Sequence, residues 1–475
     1  MHCYIIASIE QKYNFNISRK DEKMQRIVIV GAGGAGFSQN FIRDFLLDDK
    51  LRDKFEISLM DINEERLQVA VEAADITADV LGVKYIRTAT TNLKEALKDA
   101  KYVLTVFRCG DLCHQEIEYK VPLKYGVDQV VGDTVGPGGV FRGLRTLKAL
   151  FEIVDAMEEV CPGAYLFNYV NPMSMNTIAL SRRAKTVKVI GLCHSVQHTS
   201  KQLCEYLGID RKDLRFQCAG INHQAFMLKL EANGKDLYPE LRKCLDKPEV
   251  YKRDKVRFEL FRHFGYFPTE SSGHGSEYVQ YFRKRQELID RYCCNDYPDI
   301  NEEGIDWNTM GSGLSGAALE IVAKLRQRVY RFVDDYRAGK DVVKKESSNE
   351  YGIQLIHAIT CDEPMEANLN IMNNGLISTL PPDCSVEVPC LVNGGGIQPC
   401  RIENYPEQLA GLNRQMINLQ MLGAEGALNC DREAIIRAIY FDPNASSKLS
   451  LEELRAMTEE LFEALRSEIS PGFFK

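Results

Sequence analysis

Arg26–Gly36 reads RIVIVGAGGAG, a run of apolar β-branched residues followed at once by a glycine-rich turn. A continuous apolar run is typical of a parallel strand that is buried on both faces. The glycines match the pattern G-x-G-x-x-G. In that pattern Gly31 makes a tight turn, Gly33 lets the backbone approach a pyrophosphate, and Gly36 permits close packing of helix on strand. The stretch therefore predicts the first strand and turn of a dinucleotide-binding domain.

The residues that follow complete this pattern. Phe37–Leu47 has the apolar spacing of a helix, and Glu56–Met60 predicts a second strand that ends at Asp61. The N-terminus of such a helix offers free N–H groups and a positive dipole end to phosphates. A carboxylate after the second strand accepts hydrogen bonds from the adenosine ribose, so Asp61 favours NAD over NADP. Glycine turns occur in other strand–helix–strand units, but here all the parts agree.

Composition and charge indicate a globular protein. The chain has 475 residues, 45% hydrophobic and 27% charged, which fits two domains or one large α/β body with an extension. The net charge of −8 does not favour nucleic acid or an anionic membrane surface as a partner. No apolar run approaches the roughly 18 residues that a membrane-spanning helix needs.

The 15 cysteines show no disulfide spacing and are odd in number, and we find no secretory signal, so a cytoplasmic protein is expected. We expect residues 1–24 to be a disordered tail. The predicted fold class is α/β, with a Rossmann-like NAD-binding domain at 25–200. An α+β domain for substrate binding, metal binding and oligomerisation is predicted at 201–475.

Later strands end in polar residues that could form a site. Ala164–Val170 predicts a strand followed by Asn171, and Thr186–Ile190 predicts one followed by Cys193 and His194. Polar residues just past the strand ends of an open α/β sheet lie at the ligand crevice. Asn171 and Cys193 are therefore expected on the same rim of the sheet.

A second possible metal ligand, His223, lies between the predicted strands Leu214–Gly220 and Phe226–Leu230. A thiolate and a neutral imidazole suit a borderline divalent metal, and two protein ligands would leave positions for substrate hydroxyls and water. Spacing alone is weak evidence for pairing His223 with Cys193. A buried cysteine is usually a small apolar residue, and the short spacings of structural zinc ligands are absent.

Two polar, glycine-containing segments are further candidates. Gly132–Gly139 (GDTVGPGG) predicts a turn before a helix from 140 to about 157, and its amides could bind a ligand or serve only the turn. Thr269–Tyr278 (TESSGHGSEY) presents His274 freely. Helices are predicted around and after this second segment, at Val250–Phe264, Val279–Asp290 and Leu314–Tyr336.

The sequence resembles glycoside hydrolase family 4 and, within it, is similar to the bacterial α-galactosidases (melibiases). The resemblance covers nearly the whole chain after Met24, and its motifs are specific in combination. The matching stretches are GDTVGPGG (132–139), NYVNPMSMN (168–176), GLCHSVQ (191–197), CAGINH (218–223), GYFPTESSGHGSEY (265–278) and NGLISTLPPDCSVEVPCLVNGGGIQP (374–399).

The resemblance implies a redox-assisted elimination, which is an exception to the two-carboxylate hydrolysis of most glycosidases. NAD⁺ takes hydride from C3 of the sugar, and a metal, usually Mn²⁺, stabilises the enolate that forms when a base removes the C2 proton. The aglycone leaves from C1 with acid assistance, water adds, and NADH returns the hydride. The implied cofactors are NAD and Mn²⁺. The implied partner is a small α-glycoside, and we expect a homo-oligomer, either a dimer or a tetramer.

The resemblance also implies roles for individual residues. Cys193 and His223 match the metal ligands, and Asn171 matches an asparagine that contacts substrate. His194 matches the proton donor, although some members have Asp there and a role in orienting a ligand stays open. Members with a well-defined base use a tyrosine in the segment that aligns here with 273–278. His274 takes that position and is favoured, with Tyr278 as the alternative.

Other functions remain open at this stage. An α-galacturonidase or α-glucosidase would use the same chemistry, and a galacturonidase needs a cation near C6, for which Arg283 or Lys284 is a candidate. An NAD-dependent 2-hydroxy-acid dehydrogenase would share the cofactor domain, but we cannot place the Arg–His–Asp set that it requires. A binding protein that only senses NAD would have no need of Cys193 and His223.

Overall fold

The computed structural model describes residues 24–34, 36–294 and 315–475. Of the expected tail at 1–24, all but Met24 lies outside these residues. Within the described helices, none combines the length and hydrophobicity that a membrane span requires.

The N-terminal half of the chain forms a parallel sheet. Its strands are β1 Gln25–Val30, β2 Phe55–Met60, β3 Arg87–Thr90, β4 Ala100–Thr105, β5 Tyr165–Asn168 and β6 Lys188–Gly191. They lie in the order β3-β2-β1-β4-β5-β6 and all pair in parallel. This order, which reverses beside β1, is that of the doubly wound dinucleotide-binding fold. The predicted Rossmann-like half is therefore confirmed.

Helices connect these strands and cover the sheet. They are α1 Phe37–Leu47, α2 Asp49–Arg52, α3 Glu64–Leu81, α4 Leu93–Leu97, α5 Leu112–Lys124, α6 Gly136–Val160, α7 Met173–Arg183 and α8 Ser195–Leu207. Helix α6 begins before the predicted residue 140. Pro137 suits the first helical turn, and a Cβ on Gly138 would lie 2.5 Å from the Glu118 carbonyl oxygen, so the glycines let α6 approach α5 closely.

The C-terminal half extends the same sheet with antiparallel strands. These are β7 Leu214–Ile221, β8 Gln224–Ala232, β9 Lys235–Asp236, β10 Met365–Met372, β11 Ser385–Asn393 and β12 Gly396–Pro399. Strand β10 pairs with β6 at Asn370 and Gly191, and β11 pairs with β7 at Glu387 and Gly220. Over the described ranges, the two halves thus share one sheet of twelve strands.

The remaining helices follow β9 in the chain, and several of them pack on helices of the parallel half. They are α9 Tyr238–Lys243, α10 Pro248–Tyr251, α11 Lys255–Phe264, α12 Ser272–Gly275, α13 Gln286–Leu288, α14 Ala318–Leu325, α15 Arg328–Arg337, α16 Tyr351–Cys361, α17 Glu407–Asn429, α18 Arg432–Tyr440, α19 Pro443–Ser446 and α20 Leu451–Ala464. A π-helical turn spans Ile289–Cys293, and 3₁₀ turns span Cys244–Asp246 and Pro471–Phe474. The C-terminal α+β part of the predicted fold is confirmed.

Three predicted helices differ from the structure. The helix predicted at Val279–Asp290 is wrong, since only α13 and part of the π-helical turn fall in that range. The buried Arg283 guanidinium binds Ser276 and Asp128, and these tertiary contacts hold the segment in an irregular conformation. The helix predicted at 250–264 is divided into α10 and α11 by a turn at 252–254. The helix predicted at 314–336 is divided into α14 and α15 by a turn at 326–327, and its first residue lies outside the described residues.

The predicted division of the chain at residue 200 falls within α8, and it stays a prediction. Helix α17 packs against α7 and β7, so it contacts elements on both sides of that division. The crevice at the carboxyl ends of β5 and β6 therefore lies where the two halves meet.

Candidate active site

Two distant segments of the chain bring a thiol and an imidazole together at the edge of the parallel sheet. Cys193 follows β6, and His223 lies in the tight turn between β7 and β8. The pairing of β6 with β10 and of β11 with β7 places that turn beside the end of β6. As a result, Cys193 Sγ lies 3.3 Å from His223 Nε2.

This separation suits two ligands of one metal ion. Ligands at right angles on an ion, roughly 2.3 Å from it for sulphur and 2.1 Å for nitrogen, lie about 3.1 Å apart. A thiolate with an imidazole is also a donor set for borderline divalent metals. Within the described ranges, no group of three or more His, Cys, Asp or Glu side chains is arranged to hold a metal. An ion here would therefore keep positions for substrate and water.

The charge around His223 also favours a cation. The carboxylate of Glu270 has an oxygen 3.5 Å from His223 Nε2. Burial acts to lower the pKa of His223, but Glu270 and Cys193 outweigh it and raise the pKa to about 10. Burial likewise acts to raise the pKa of Glu270, but His223 and His274 bring it down to about 2. The negative charges around His223 Nε2 thus favour a positive charge at this position.

The backbone of both residues is strained. His223 has φ 61° and Glu270 has φ 70°, in the left-handed region that side chains other than glycine rarely adopt. Strain of this kind is kept where the surrounding structure fixes it, and it concentrates at functional sites.

A second imidazole and a carboxylate line up behind His223. His274 Nε2 lies 3.0 Å from His223 Nδ1, and His274 Nδ1 lies 2.6 Å from Glu277 Oε2. Glu277 Oε1 also accepts hydrogen bonds from the backbone N–H groups of Val131 and Gly132, each at 3.2 Å. A continuous hydrogen-bond chain therefore runs from the backbone at 131–132 through Glu277, His274 and His223 to the thiol of Cys193.

The free presentation expected for His274 is wrong. Its side chain is only 2% exposed, because Ser271 caps the short helix α12, accepts the His274 N–H and turns the segment inward. Both ring nitrogens of His274 are in hydrogen-bond contact. It would have to break one of these contacts before it could take a proton from a substrate.

Tyr278, the alternative base, packs edge-on against both imidazoles. Its ring centroid lies 5.2 Å from that of His274 and 6.2 Å from that of His223. The hydroxyl is buried, and no group in the described residues hydrogen-bonds to it. Burial, followed by the carboxylates of Glu270 and Asp133, raises the pKa of Tyr278 well above its ordinary value.

The glycine-rich segment at 132–139 contributes a carboxylate to the opposite wall. Asp133 Oδ1 lies 3.9 Å from His274 Nε2, and Asp133 Oδ2 lies 3.3 Å from Arg142 Nη1. Asn171, which follows β5, has Nδ2 3.5 Å from Asp133 Oδ2. Burial acts to raise the pKa of Asp133, but Arg142 and His274 hold it below its usual range. Asn171 and Cys193 thus lie on one rim, next to an ionised carboxylate.

His194 lies at the mouth of this crevice, at the start of α8. Its side chain is 39% exposed, and Nδ1 lies 3.8 Å from Glu350 Oε1. The ring packs against Phe37 and His198, with centroids 5.7 Å and 4.6 Å away. Enclosure in the crevice and the neighbouring His198 lower the pKa of His194 to about 4. The side chain is therefore neutral in the metal-free protein.

The glycine-rich turn after β1 has the features that a pyrophosphate requires. Gly31 and Gly36 have φ 91° and 106°, and Gly36 offers no side-chain cap to the first turn of α1. Asp61 Oδ2 accepts the N–H of Gly33 at 2.9 Å, and a Cβ on Gly33 would meet that oxygen at the same distance. The uncapped N–H groups of α1 suit a phosphate, and Asp61 follows β2, a position from which a carboxylate can accept hydrogen bonds from a ribose.

Several charged side chains of the site were missed by sequence reasoning. Glu270 and Glu277 lie in the segment 269–278, of which only His274 and Tyr278 were predicted as site residues. Asp133 lies in the segment 132–139, of which only the backbone amides were predicted to bind a ligand. Arg108 follows β4, and burial and the charge of Arg142 lower its pKa to about 9. Arg108 could have been predicted by the rule for polar residues just past strand ends, which was applied to the residues after β5 and β6.

Comparison with known proteins identifies the family of the chain. Residues 26–209 match the Family 4 glycosyl hydrolase domain, and residues 218–445 match the Family 4 glycosyl hydrolase C-terminal domain. An Alpha-galactosidase of Bacillus subtilis (strain 168) is 37% identical over 93% of this chain and 98% of its own. An Alpha-galactosidase of Rhizobium meliloti (strain 1021) is 32% identical over 92% of this chain and 87% of its own.

A solved structure shows the same fold. The 6-phospho-beta glucosidase of Thermotoga maritima, determined with manganese, NAD⁺ and glucose-6-phosphate, superposes with a TM-score of 0.74 at 22% identity, covering 94% of this chain and 100% of its own. The sequence matches, which span both halves of the sheet, confirm the resemblance seen in the motifs. The chain belongs to family 4 of the glycosyl hydrolases.

Proposed function

We propose that the protein hydrolyses α-galactosides of the melibiose type by oxidation, elimination, addition and reduction, with NAD and Mn²⁺ as cofactors. The observation that carries the proposal is the contact of Cys193 Sγ with His223 Nε2 at 3.3 Å, in the crevice of a dinucleotide-binding sheet. The preference for galactose is supported by two relatives, 37% and 32% identical, that are both named Alpha-galactosidase. Because the chain is a glycoside hydrolase, the dehydrogenase alternative is set aside.

The cofactors would supply the redox and Lewis-acid chemistry, and the protein would hold them in place. When bound, NAD⁺ would accept and return the C3 hydride, and Mn²⁺ would withdraw electron density from the sugar oxygens, which makes the C2 proton acidic. Cys193 and His223 would hold the metal. The turn at Gly31–Gly36 and the N-terminus of α1 would hold the pyrophosphate, and Asp61 would hold the adenosine ribose.

For the base that removes the C2 proton we propose Tyr278 in preference to His274. The Tyr278 hydroxyl is buried beside His223 and is free of hydrogen bonds within the described residues, whereas both nitrogens of His274 are engaged. Burial, followed by the carboxylates of Glu270 and Asp133, disfavours the phenolate and raises the pKa of Tyr278. A divalent cation next to His223 would oppose that effect, since an opposite charge favours the charged form of a nearby group.

For the proton donor to the leaving group we propose His194. It lies at the mouth of the crevice, directly after Cys193, and its side chain is 39% exposed, so it can reach both an aglycone and solvent. Because its pKa is lowered to about 4, the ring must take up a proton from solvent before it can donate one to the leaving group. Glu350 lies 3.8 Å from its Nδ1 and can orient the ring. On the opposite wall, Asn171 and Asp133 would hydrogen-bond to sugar hydroxyls.

The structure gives no role at C6 to the two cations considered for a galacturonidase. Arg283 is 1% exposed and binds Ser276 and Asp128, and Lys284 is exposed at the surface. Neither guanidinium nor ammonium is therefore presented to the crevice as a carboxylate partner. The preference for a neutral sugar such as galactose therefore rests on the two relatives named Alpha-galactosidase.

The proposal is tested by a panel of p-nitrophenyl glycosides with Mn²⁺, NAD⁺ and a thiol reductant. We expect the α-galactoside to be hydrolysed faster than the α-glucoside and the α-galacturonide, and we expect no hydrolysis when NAD⁺ or the metal is removed. Preference for the galacturonide, or turnover without NAD⁺, would contradict the proposal.

The cellular setting and assembly are also proposals. We propose a cytoplasmic enzyme, because none of the cysteines in the described ranges forms a disulfide. A dimer or tetramer remains our expectation, and light scattering coupled to size-exclusion chromatography measures it.

A further inference from the structure

Glu277, His274 and His223 form a buried hydrogen-bond chain, and a metal bound to His223 would fix which group donates each hydrogen bond. We propose that Glu277 and His274 are positioning residues that fix the His223 ring as a metal ligand through Nε2. The inference rests on the proposed function only in taking Cys193 and His223 as the metal ligands.

The direction of the hydrogen bonds follows from what each group can donate. A metal on His223 Nε2 needs the lone pair of that nitrogen, so the ring proton must be on Nδ1. Nδ1–H then donates to His274 Nε2, 3.0 Å away. His274 consequently carries its own proton on Nδ1 and donates it to Glu277 Oε2, 2.6 Å away. The carboxylate of Glu277 can only accept hydrogen bonds, so it determines which ring nitrogen of His274, and then of His223, carries the proton.

The carboxylate of Glu277, which ends this hydrogen-bond chain, is held rigidly. Glu277 is 1% exposed, and its Oε1 accepts the N–H groups of Val131 and Gly132 at 3.2 Å each. These two backbone donors fix the carboxylate next to the loop that carries Asp133. A metal-bound histidine usually donates its second N–H to a carboxylate, a carbonyl or water. Here an imidazole is inserted between the histidine and the carboxylate.

A single isosteric substitution exchanges the donors and acceptors in this hydrogen-bond chain. In Glu277→Gln, the amide oxygen can still accept the backbone N–H groups, and the amide nitrogen then faces His274 Nδ1 as a donor. His274 must place its proton on Nε2, so His223 must accept at Nδ1 and carry its proton on Nε2. That proton occupies the position of the metal. The substitution therefore opposes metal binding while leaving the packing of the side chain almost unchanged.

The matched control is a second glutamate–histidine contact, which involves none of the candidate site residues. Glu259 Oε2 lies 3.5 Å from His263 Nε2 on the surface of α11. Glu259→Gln removes the same charge from the same kind of pair without touching the site. Cys193→Ser serves as the second control, because it removes a proposed ligand directly.

The experiment is a Co²⁺ titration of the full chain with NAD⁺ present, followed by the thiolate-to-cobalt charge-transfer band. We expect Glu277→Gln to weaken Co²⁺ binding about 10- to 100-fold, the usual effect of losing a partner of a metal ligand. NAD⁺ affinity and Tm should stay near those of the unmodified protein, and Glu259→Gln should bind Co²⁺ normally. Unchanged Co²⁺ affinity in Glu277→Gln would overturn the inference. Unchanged affinity and band in Cys193→Ser would instead show that the metal site of the proposed function is wrong.

If Glu277→Gln does not fold, the ring protons of the unmodified protein decide the question. The chain has eight histidines, so ¹⁵N-histidine spectra of the Zn²⁺-loaded protein are tractable, with His274→Gln used for assignment. The inference expects His274 to be neutral, with its proton on Nδ1 and a bare Nε2. A proton on His274 Nε2 would overturn it.

Discussion

The Sγ atom of Cys193 lies 3.3 Å from Nε2 of His223, although the two residues reach this point from different halves of the sheet. Cys193 follows the last parallel strand, and His223 lies in the turn between two antiparallel strands. The contact therefore depends on the pairing of β6 with β10, which joins the dinucleotide-binding strands to the rest of the chain. A site built in this way would let a bound dinucleotide and a bound metal act on the same sugar.

Removal of the thiol tests the metal assignment in turnover. We expect Cys193→Ser to lower turnover by more than about 100-fold, because the ligand itself is lost and not only a partner of it. Calorimetric NAD⁺ affinity should remain within about twofold, since the glycine turn is untouched. Cys113 is exposed, and Cys113→Ser is the matched control that should behave normally. Full activity with Mn²⁺ in Cys193→Ser would place the metal elsewhere.

Cofactor preference follows from Asp61. Its two oxygens are held by the N–H groups of Gly33 and Asn63, each at 2.9 Å, so the carboxylate cannot turn away from the ribose position. A 2′-phosphate would meet this negative charge, and we expect NADP⁺ to bind at least roughly tenfold more weakly than NAD⁺. Isothermal titration measures both affinities, and equal values would reject the ribose assignment.

The choice of base is tested by two phenol-to-phenyl substitutions. Tyr278→Phe should lower turnover by about 10²- to 10⁴-fold, the usual range for losing a general base, with Mn²⁺ and NAD⁺ affinities retained. Tyr281→Phe is the matched control, because Tyr281 is 39% exposed and lies on the same segment. If Tyr278→Phe keeps its activity while a His274 variant that still binds metal loses it, the base is His274.

A surface histidine makes stability depend on pH. His357 Nδ1 lies 2.5 Å from Asp48 Oδ2 and Nε2 lies 3.0 Å from Glu363 Oε2. Burial acts to lower its pKa, but the two carboxylates outweigh it, so the pKa is raised in the folded protein. A raised pKa adds stability that is complete below the unfolded value of about 6.5 and is lost as pH rises through the folded value.

The corresponding measurement is Tm at two pH values. We expect His357→Gln to lower Tm by roughly 1–2 °C at pH 6 and by less at pH 9, because the contact is partly exposed in a large protein. His263→Gln is the control, since that side chain is 69% exposed. An equal loss at both pH values would show that packing, and not charge, explains the effect.

The fold of the N-terminal half could be predicted because its signals are local. The apolar run, the glycines and Asp61 lie within one strand–helix–strand unit, and β1, α1 and β2 agree with the prediction to within one residue at each end. The irregular segment after Tyr278 could not be predicted in this way. Its conformation is set by the binding of Arg283 to Asp128, which is distant in sequence, and this tertiary contact overrides the helical pattern.

The candidate site was predictable in its residue types but not in its connections. Cys193 and Asn171 were placed on one rim by the rule for strand ends. The contact of His223 with Cys193 needed the order of the antiparallel strands, which no local pattern encodes. Polarity and glycine content suggested that His274 is exposed, whereas the polar partners that bury it, His223 and Glu277, lie on both sides of it in space.

The most direct test of the account is hydrolysis of an α-galactoside in D₂O, with the galactose product analysed by NMR at C2. Elimination requires that the C2–H bond breaks, whereas a glycosidase with two catalytic carboxylates never touches that bond. We predict galactose that carries deuterium at C2, formed only when NAD⁺ and Mn²⁺ are both present. Galactose with only protium at C2, released at the full rate, would contradict the mechanism and with it the roles given to Cys193, His223 and the dinucleotide turn.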